Sequence, residues 1–297
     1  MKLAILLLCH KNPEQINDFI LSMLHPDIDI FIHIDKKSDI IKDIITRKNV
    51  YILDHTSRID VRWGEFSQVE AMLSLLKFSS NKFQYDYYWF CSGQDFPIKP
   101  ISDILKYFFT FNGDNFIQFI ESEHYGKKIE NNFDKRNKLY FPKRLLKNKF
   151  IWRCLKRLYI ELTGGYNHTY KLFERRDIIG KIPAYFGSQW SCLHKDFVVW
   201  LQEYLDSTPM FIQGYKHVMC PDESFFQTLL MLSPDCNNIR DFLHYIDWSE
   251  GKSSPKTLKI EDFDLISISP YFMARKFDYA LDRDIITLLN NKLKNNH

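Results

Sequence analysis

The sequence predicts an α/β fold with a mainly parallel central sheet and helices on both faces. Three observations carry this. Short apolar runs of strand character alternate with helical stretches through residues 1–120. The runs Leu3–Cys9 and Tyr87–Cys91 are apolar almost throughout, as strands covered on both faces are. The 297 residues are 45% hydrophobic and 16% aromatic, enough for a sizeable core and too apolar for disorder. One domain over 1–297 is expected, with a regular βα half (1–120) and a less regular half (121–297).

Leu3–Cys9 reads as a buried first strand. Its seven residues sit at the bottom of the signal-peptide range, and no small-residue cleavage site follows. Pro13–Leu24 reads as a helix, Ile28–Ile34 as a strand, Asp39–Arg47 as a short helix and Val50–Leu53 as a third strand. Trp63–Phe78 is a helix with apolar positions Val69, Met72, Leu73 and Leu76. Tyr87–Cys91 is the central strand, followed by a turn in SGQDFPIKP, a helix over Ile101–Phe111 and a strand over Phe116–Ile120. Further on, Lys143–Leu162 looks helical and GSQWSCLHKDFVVWL runs from strand into helix near Lys195. CPDESFFQTLL opens another helix, YIDWSEGKSSPKTL is a loop, and a polar helix follows SPYFMARKFD. No run approaches the ~18 apolar residues of a membrane-crossing helix.

Ligands of such sheets bind beyond the carboxyl ends of the strands. That places His10, Asp35 and the Ser92–Asp95 turn on one rim. Glycine is scarce, with 10 residues, and neither GxGxxG nor GxxxxGK[ST] occurs, so no phosphate loop is present. A diphosphate would need a metal or side-chain cations. The DxD pairs Asp27/Asp29, Asp262/Asp264 and Asp282/Asp284 do not follow the central strand, which is trailed by one acid, Asp95. Hard divalent ions prefer several oxygen ligands, so no metal is expected. Candidate cations are Lys256 and the pair Arg275-Lys276, flanked by Phe272 and Phe277.

The net charge is +3, but it is unevenly placed. Lys127 to Arg157 holds 12 Lys and Arg against two acids, Glu130 and Asp134, a local balance of +10, with Phe133, Tyr140, Phe141, Phe150 and Trp152 interleaved. A solvated basic face is the ordinary reading. The functional reading is contact with an anionic membrane or a lipid-linked substrate. No nucleic-acid module accompanies the stretch, so nucleic acid ranks last. The six cysteines form no CxxC and several sit in apolar runs, which reads as reduced thiols in a cytoplasmic protein.

CPDESFFQTLL places Asp222 and Glu223 between a proline and two phenylalanines. Ordinary helix chemistry accounts for this: Pro at a first helical position, acids in the first turn, and Phe225 with Leu229 on a buried face. The sharper reading makes one acid a base aimed into a cleft. Adjacent helical side chains diverge by about 100°, so one of the two reaches it.

Together, FIHIDKKSD, RWGEFSQVEAMLSLLK, YYWFCSGQDFPIKP, GSQWSCLHKDFVVWL, CPDESFFQTLL, YIDWSEGKSSPKTL and ARKFD resemble, in order, the core-2/I-branching β-glycosyltransferases, which include peptide O-xylosyltransferases. The resemblance implies a GT-A-like fold and inverting, metal-independent transfer from a UDP-sugar, UDP-GlcNAc first and UDP-xylose next, to a glycan hydroxyl in surface polysaccharide synthesis. Residues 1–120 become the nucleotide-binding half and 121–297 the acceptor and catalytic half. Glu223 matches the catalytic base, with Asp222 capping or supporting the helix start. Arg275 and Lys276 match the diphosphate-binding element, Lys256 a second phosphate cation, His10 and Asp35 the uridine rim, and Asp95 the turn near the donor sugar. Trp190, Tyr245 and Trp248 become candidates for acceptor stacking. Animal members carry disulfides and a membrane anchor. The pattern here implies a bacterial, cytoplasmic relative, peripheral on the inner membrane face, whose acceptor is linked to a lipid diphosphate. Two other readings stay open: a glycoside hydrolase using Asp95 and Glu223, and a non-catalytic glycan-binding protein of the membrane surface.

Overall fold

The computed structural model describes residues 1–120, 136–147, 149–165, 174–252 and 254–295, so the start of the basic stretch lies outside the described residues. The strands are β1 (Leu3–Cys9), β2 (Ile28–Ile34), β3 (Val50–Ile52), β4 (Tyr87–Ser92), β5 (Asp95–Pro97), β6 (Asn115–Phe116), β7 (Cys192–His194), β8 (Ile239–Arg240), β9 (His244–Ile246) and β10 (Met273–Arg275). The main sheet has the order β3-β2-β1-β4-β7-β6-β8. Its first four strands are parallel, β7 runs antiparallel to β4 and β6, and β6 and β8 are parallel. A second sheet has the order β5-β10-β9.

Side chains alternate across a strand, so each strand of the main sheet feeds two cores. On one face Leu3, Ile5, Leu7, Ile30, Ile32, Tyr87 and Trp89 pack under α1 (Pro13–Ser22), α3 (Ile101–Thr110) and α11 (Asp284–Asn295). On the other, Ala4, Leu6, Phe31, Tyr88 and Phe90 pack under α2 (Ser67–Lys82), α7 (Lys195–Ser207) and α9 (Phe225–Leu232). Each fully buried large side chain contributes about 1.5–3 kcal/mol. The remaining helices are α4 (Lys143–Leu146), α5 (Phe150–Gly165), α6 (Ile178–Lys181), α8 (Pro209–Tyr215) and α10 (Phe263–Ile268). No helix among the described residues is long and apolar enough to cross a membrane.

Several expected bounds shift, each for a physical reason. The helix expected from Trp63 begins at Ser67, because Gly64 sits at φ 75° and Glu65 closes a turn onto the Arg62 carbonyl at 3.1 Å. Asp39–Arg47 forms only a 3-10 turn, Ile41–Asp43. Lys143–Leu162 splits into α4 and α5, and the SGQDFPIKP turn contains β5. The helix expected from Pro221 is a 3-10 turn, Pro221–Glu223, set just before α9.

Candidate functional site

The parallel register aligns three strand ends. Cys9 pairs with Ile34 and Leu8 with Ser92, so His10, Asp35 and the Ser92–Asp95 turn share one rim, as expected. The Asp35 amide donates to the Cys9 carbonyl at 2.8 Å, and the Ser38 hydroxyl to the His10 carbonyl at 2.8 Å. Asp35 also lies 3.3 Å from the Lys37 ammonium. The ARKFD strand reaches this rim from the far end of the chain: Lys11 and Asn12 donate to the Asp278 carboxylate at 2.6 and 2.8 Å. Lys276 stands beside them, half-buried, and its ammonium makes no hydrogen bond or ion pair among the described residues. Burial, then the charges of Lys11 and Arg275, pull that ammonium below its ordinary value. Burial and Lys11 lower His10 likewise. Among the described residues the rim therefore pairs Lys11 and Lys37 with acids and leaves Lys276 uncommitted.

Arg275 has the opposite environment: it is the last residue of β10, whereas Lys276 has already left the strand. In the second sheet it lies directly across from Asp95. Its guanidinium is buried 3.6 Å from the Asp95 carboxylate and 3.9 Å from the centre of the Trp190 ring. His244 approaches the same carboxylate to 3.5 Å. These are charge contacts without hydrogen-bond alignment: Arg275 Nε and Nη1 and both His244 nitrogens are buried with no hydrogen-bond partner. Burial pushes Asp95 up, but Arg275 and His244 outweigh it and hold its carboxyl below the usual range. Asp95 is 0% exposed and accepts from the Ser92 amide at 2.7 Å and its hydroxyl at 2.9 Å. It cannot touch a donor sugar directly, and it cannot serve as the surface acid of a hydrolase. Trp190, expected as an acceptor platform, is instead buried under Arg275.

The acid turn divides its two carboxylates. Asp222 is 7% exposed, whereas the Glu223 side chain is 40% exposed. Burial, reinforced by Glu223, pushes the Asp222 carboxyl up to about 7. Its Oδ1 has no hydrogen-bond partner and neither helix end shows a side-chain cap, so Asp222 supports the turn by packing and not as the expected cap. Glu223 pairs with Arg136. The turn is fixed from three sides. The Cys220 amide donates to the Gly64 carbonyl at 3.1 Å, and the Gly187 amide to the Glu223 carbonyl at 2.9 Å. Gln227 donates to the Ser188 carbonyl at 2.8 Å. A Cβ on Gly187 would lie 1.7 Å from the Gln118 carbonyl oxygen, so only glycine fits this crossing.

The loop candidates divide as well. Lys256 lies near the ARKFD strand, since the Leu258 amide donates to the Lys276 carbonyl at 2.8 Å. Its charge is committed to Asp262 at 2.6 Å and Asp247 at 4.0 Å, which weakens it as a phosphate cation. Trp248 is exposed, and Tyr245 is half-buried beside Tyr271. Each DxD pair spends an acid on structure: Asp29 on the Tyr85 hydroxyl, Asp262 on Lys256 and Asp282 on the start of α11. Cys91, Asp95 and His244 place their ligand atoms within 4.8 Å of one another. That set suits a metal poorly: burial pushes the Cys91 thiol up, and the Arg275 guanidinium already supplies the cation.

Sequence reasoning missed Lys11, Asp278, Arg136, His244 and Arg58. Lys11 follows the chosen His10 and Asp278 closes the ARKFD motif, whereas Arg136 is one cation in a basic run. His244 carries no local signal. Arg58 is buried near His33, with Nε and Nη1 lacking hydrogen-bond partners.

The sequence profile described as Core-2/I-Branching enzyme matches residues 3–270. The chain belongs to this family. The chain is also similar to proteins named as xylosyltransferases. Xylosyltransferase 1 of Rattus norvegicus is 24% identical over 323 residues, covering 100% of this chain and 36% of the relative. A xylosyltransferase of Ciona intestinalis is 25% identical over 306 residues, covering 94% of this chain and 32% of the relative. The chain thus spans about a third of the length of the curated relatives it matches. Among solved structures, the galactosyltransferase LgtC, determined with donor and acceptor sugar analogues, aligns over 98% of this chain and 96% of its own. Its identity is 9% and its TM-score 0.39.

Proposed function

We propose that this Core-2/I-Branching enzyme, in a GT-A-like fold, moves a sugar from a UDP-sugar to a glycan hydroxyl with inversion and without a metal. UDP-GlcNAc is the first donor to try and UDP-xylose the second. The xylosyltransferase names of the relatives support the second. The observation that carries this reading is the asymmetry of the acid turn, which leaves Glu223 outward and Asp222 buried. Glu223 takes the proton of the acceptor hydroxyl as that oxygen attacks the anomeric carbon from the side opposite the leaving group. The departing UDP gathers negative charge, which Lys276 meets from the rim, with Arg275 behind it and Lys256 in the flanking loop. His10 and Asp35 hold the uridine end. Tyr245 and Trp248 remain the acceptor-stacking candidates, with Trp190 acting through Arg275. The acceptor is a lipid-diphosphate-linked glycan at the inner membrane face, and the basic residues 127–157 keep the enzyme there.

Arg136 holds the Glu223 carboxylate in the structure, so the acceptor hydroxyl must share or displace that contact. UDP release from a panel of UDP-sugars, in excess EDTA, tests the reading. One donor should be turned over at an unchanged rate with EDTA. Glu223→Gln should lose about 10²–10⁴-fold while still binding UDP. Abolition by EDTA would overturn the metal-free mechanism, and full activity in Glu223→Gln would remove Glu223 as the base.

A further inference from the structure

Helix α5 carries two faces that the transfer reaction does not use. Its inner face anchors it: the Tyr159 ring packs 5.4 Å from Phe141, the Tyr159 hydroxyl donates to the Tyr140 carbonyl at 2.7 Å, and Thr163 is buried. Leu139, Phe141 and Leu146 complete this small core. The outer face is apolar and open. Ile151, Leu155, Leu158 and Leu162 follow the 4-3-4 spacing of one helix face, and all four are exposed, from 69% at Ile151 to 41% at Leu155. Phe150, 72% exposed, adds another exposed apolar side chain at the helix start. On the same segment Lys143, Arg144, Lys147, Lys149, Arg153 and Arg157 are exposed, the last two on helical positions away from the stripe. Glu161 is the sole acid among the described residues 136–165, and it pairs with Arg157 at 3.3 Å.

We propose that α5 is a membrane-surface helix that inserts this aliphatic stripe into the headgroup–acyl boundary of an anionic bilayer. A helix with an aliphatic face and lysine and arginine on its polar side is the composition that lies in such an interface. Charge selects this occupant over the alternatives. A second copy docked by two-fold symmetry would bring two strongly basic segments together. A nucleic acid would match the cations and leave the leucines against water. The inference stands on one helix and is independent of the donor reading. It differs from simple charge attraction by assigning part of the binding to apolar burial, which salt does not screen.

Co-sedimentation of the intact protein with vesicles of phosphatidylglycerol and phosphatidylcholine, or of phosphatidylcholine alone, tests it. The wild type should bind the anionic vesicles and retain a fraction in high salt. Replacing Ile151, Leu155, Leu158 and Leu162 by serine should weaken binding about tenfold or more. The melting curve should not fall, because these side chains are exposed. Reversing Lys147, Lys149, Arg153 and Arg157 to glutamate should abolish the preference for anionic lipid. Undiminished binding of the serine variant would overturn the proposal. So would a wild-type dimer that the serine variant dissolves without any vesicle binding.

Discussion

Asp222 and Glu223 are neighbours in the chain and opposites in environment. The Asp222 carboxyl, pushed up to about 7 by burial and by Glu223, keeps a proton that the unfolded chain releases near pH 4. The native state therefore binds more protons than the unfolded state between about pH 4 and 7. Its contribution is fully present below that window and is lost as pH rises through it. Urea unfolding at pH 5 and pH 8 should show the wild type weaker at pH 8, by an amount on the order of 2–4 kcal/mol, with Asp222→Asn much less affected. An identical pH dependence in both proteins would refute the burial account. Arg275 and Lys276 divide in the same manner. Arg275→Ala strands a buried Asp95 and should cost about 3–5 kcal/mol of stability. Lys276→Ala should leave the melting temperature unchanged and weaken UDP binding about 10–100-fold, a charge-assisted contact of about 1.5–3 kcal/mol. Calorimetric titration with UDP separates the two. The motif named the pair, but the pairing of Arg275 with Asp95 at the end of β10, invisible until β10 was placed against β5, tells them apart.

At the scale of elements, those with a strong local period were legible. β1 and β2 have the expected bounds, and β4 runs one residue past its own. The misses lie where backbone geometry or distant pairing decides. Gly64 delays α2 by taking a positive φ, and β5 is a three-residue strand that exists only because β10 pairs with it. The crossing of Gly187 over Gln118 belongs to the same class, since no sequence period announces it. Gly187→Ala should destabilise the fold by about 1–3 kcal/mol and displace the acid turn that leans on the Gly187 amide. Activity should then fall further than stability accounts for at a temperature where the variant is still folded. Unchanged kinetics would detach the turn from this crossing.

For the whole molecule, the doubly covered sheet and its rim were legible from alternation alone. The second sheet was not, because it joins residues 95–97, 244–246 and 273–275, and no local pattern records pairing over such distances. Helix α11 packs Ile285, Ile286 and Leu289 into the same core as β1 and β2, so the two halves divided at residue 120 should melt together. Circular dichroism and tryptophan fluorescence should report one coincident transition. Two transitions would make the halves separate domains. The seating of β10 also has a consequence for synthesis. The first strand is made well before Arg275, Lys276 and Asp278, which neutralise Asp95 and pin Lys11: Cys9 and Arg275 are 266 residues apart. A nascent chain stopped short of β10 has its sheet but neither the counter-ion for Asp95 nor the rim cation. Until β10 is made, the sheet can close while the residues of the rim that depend on it stay unassembled.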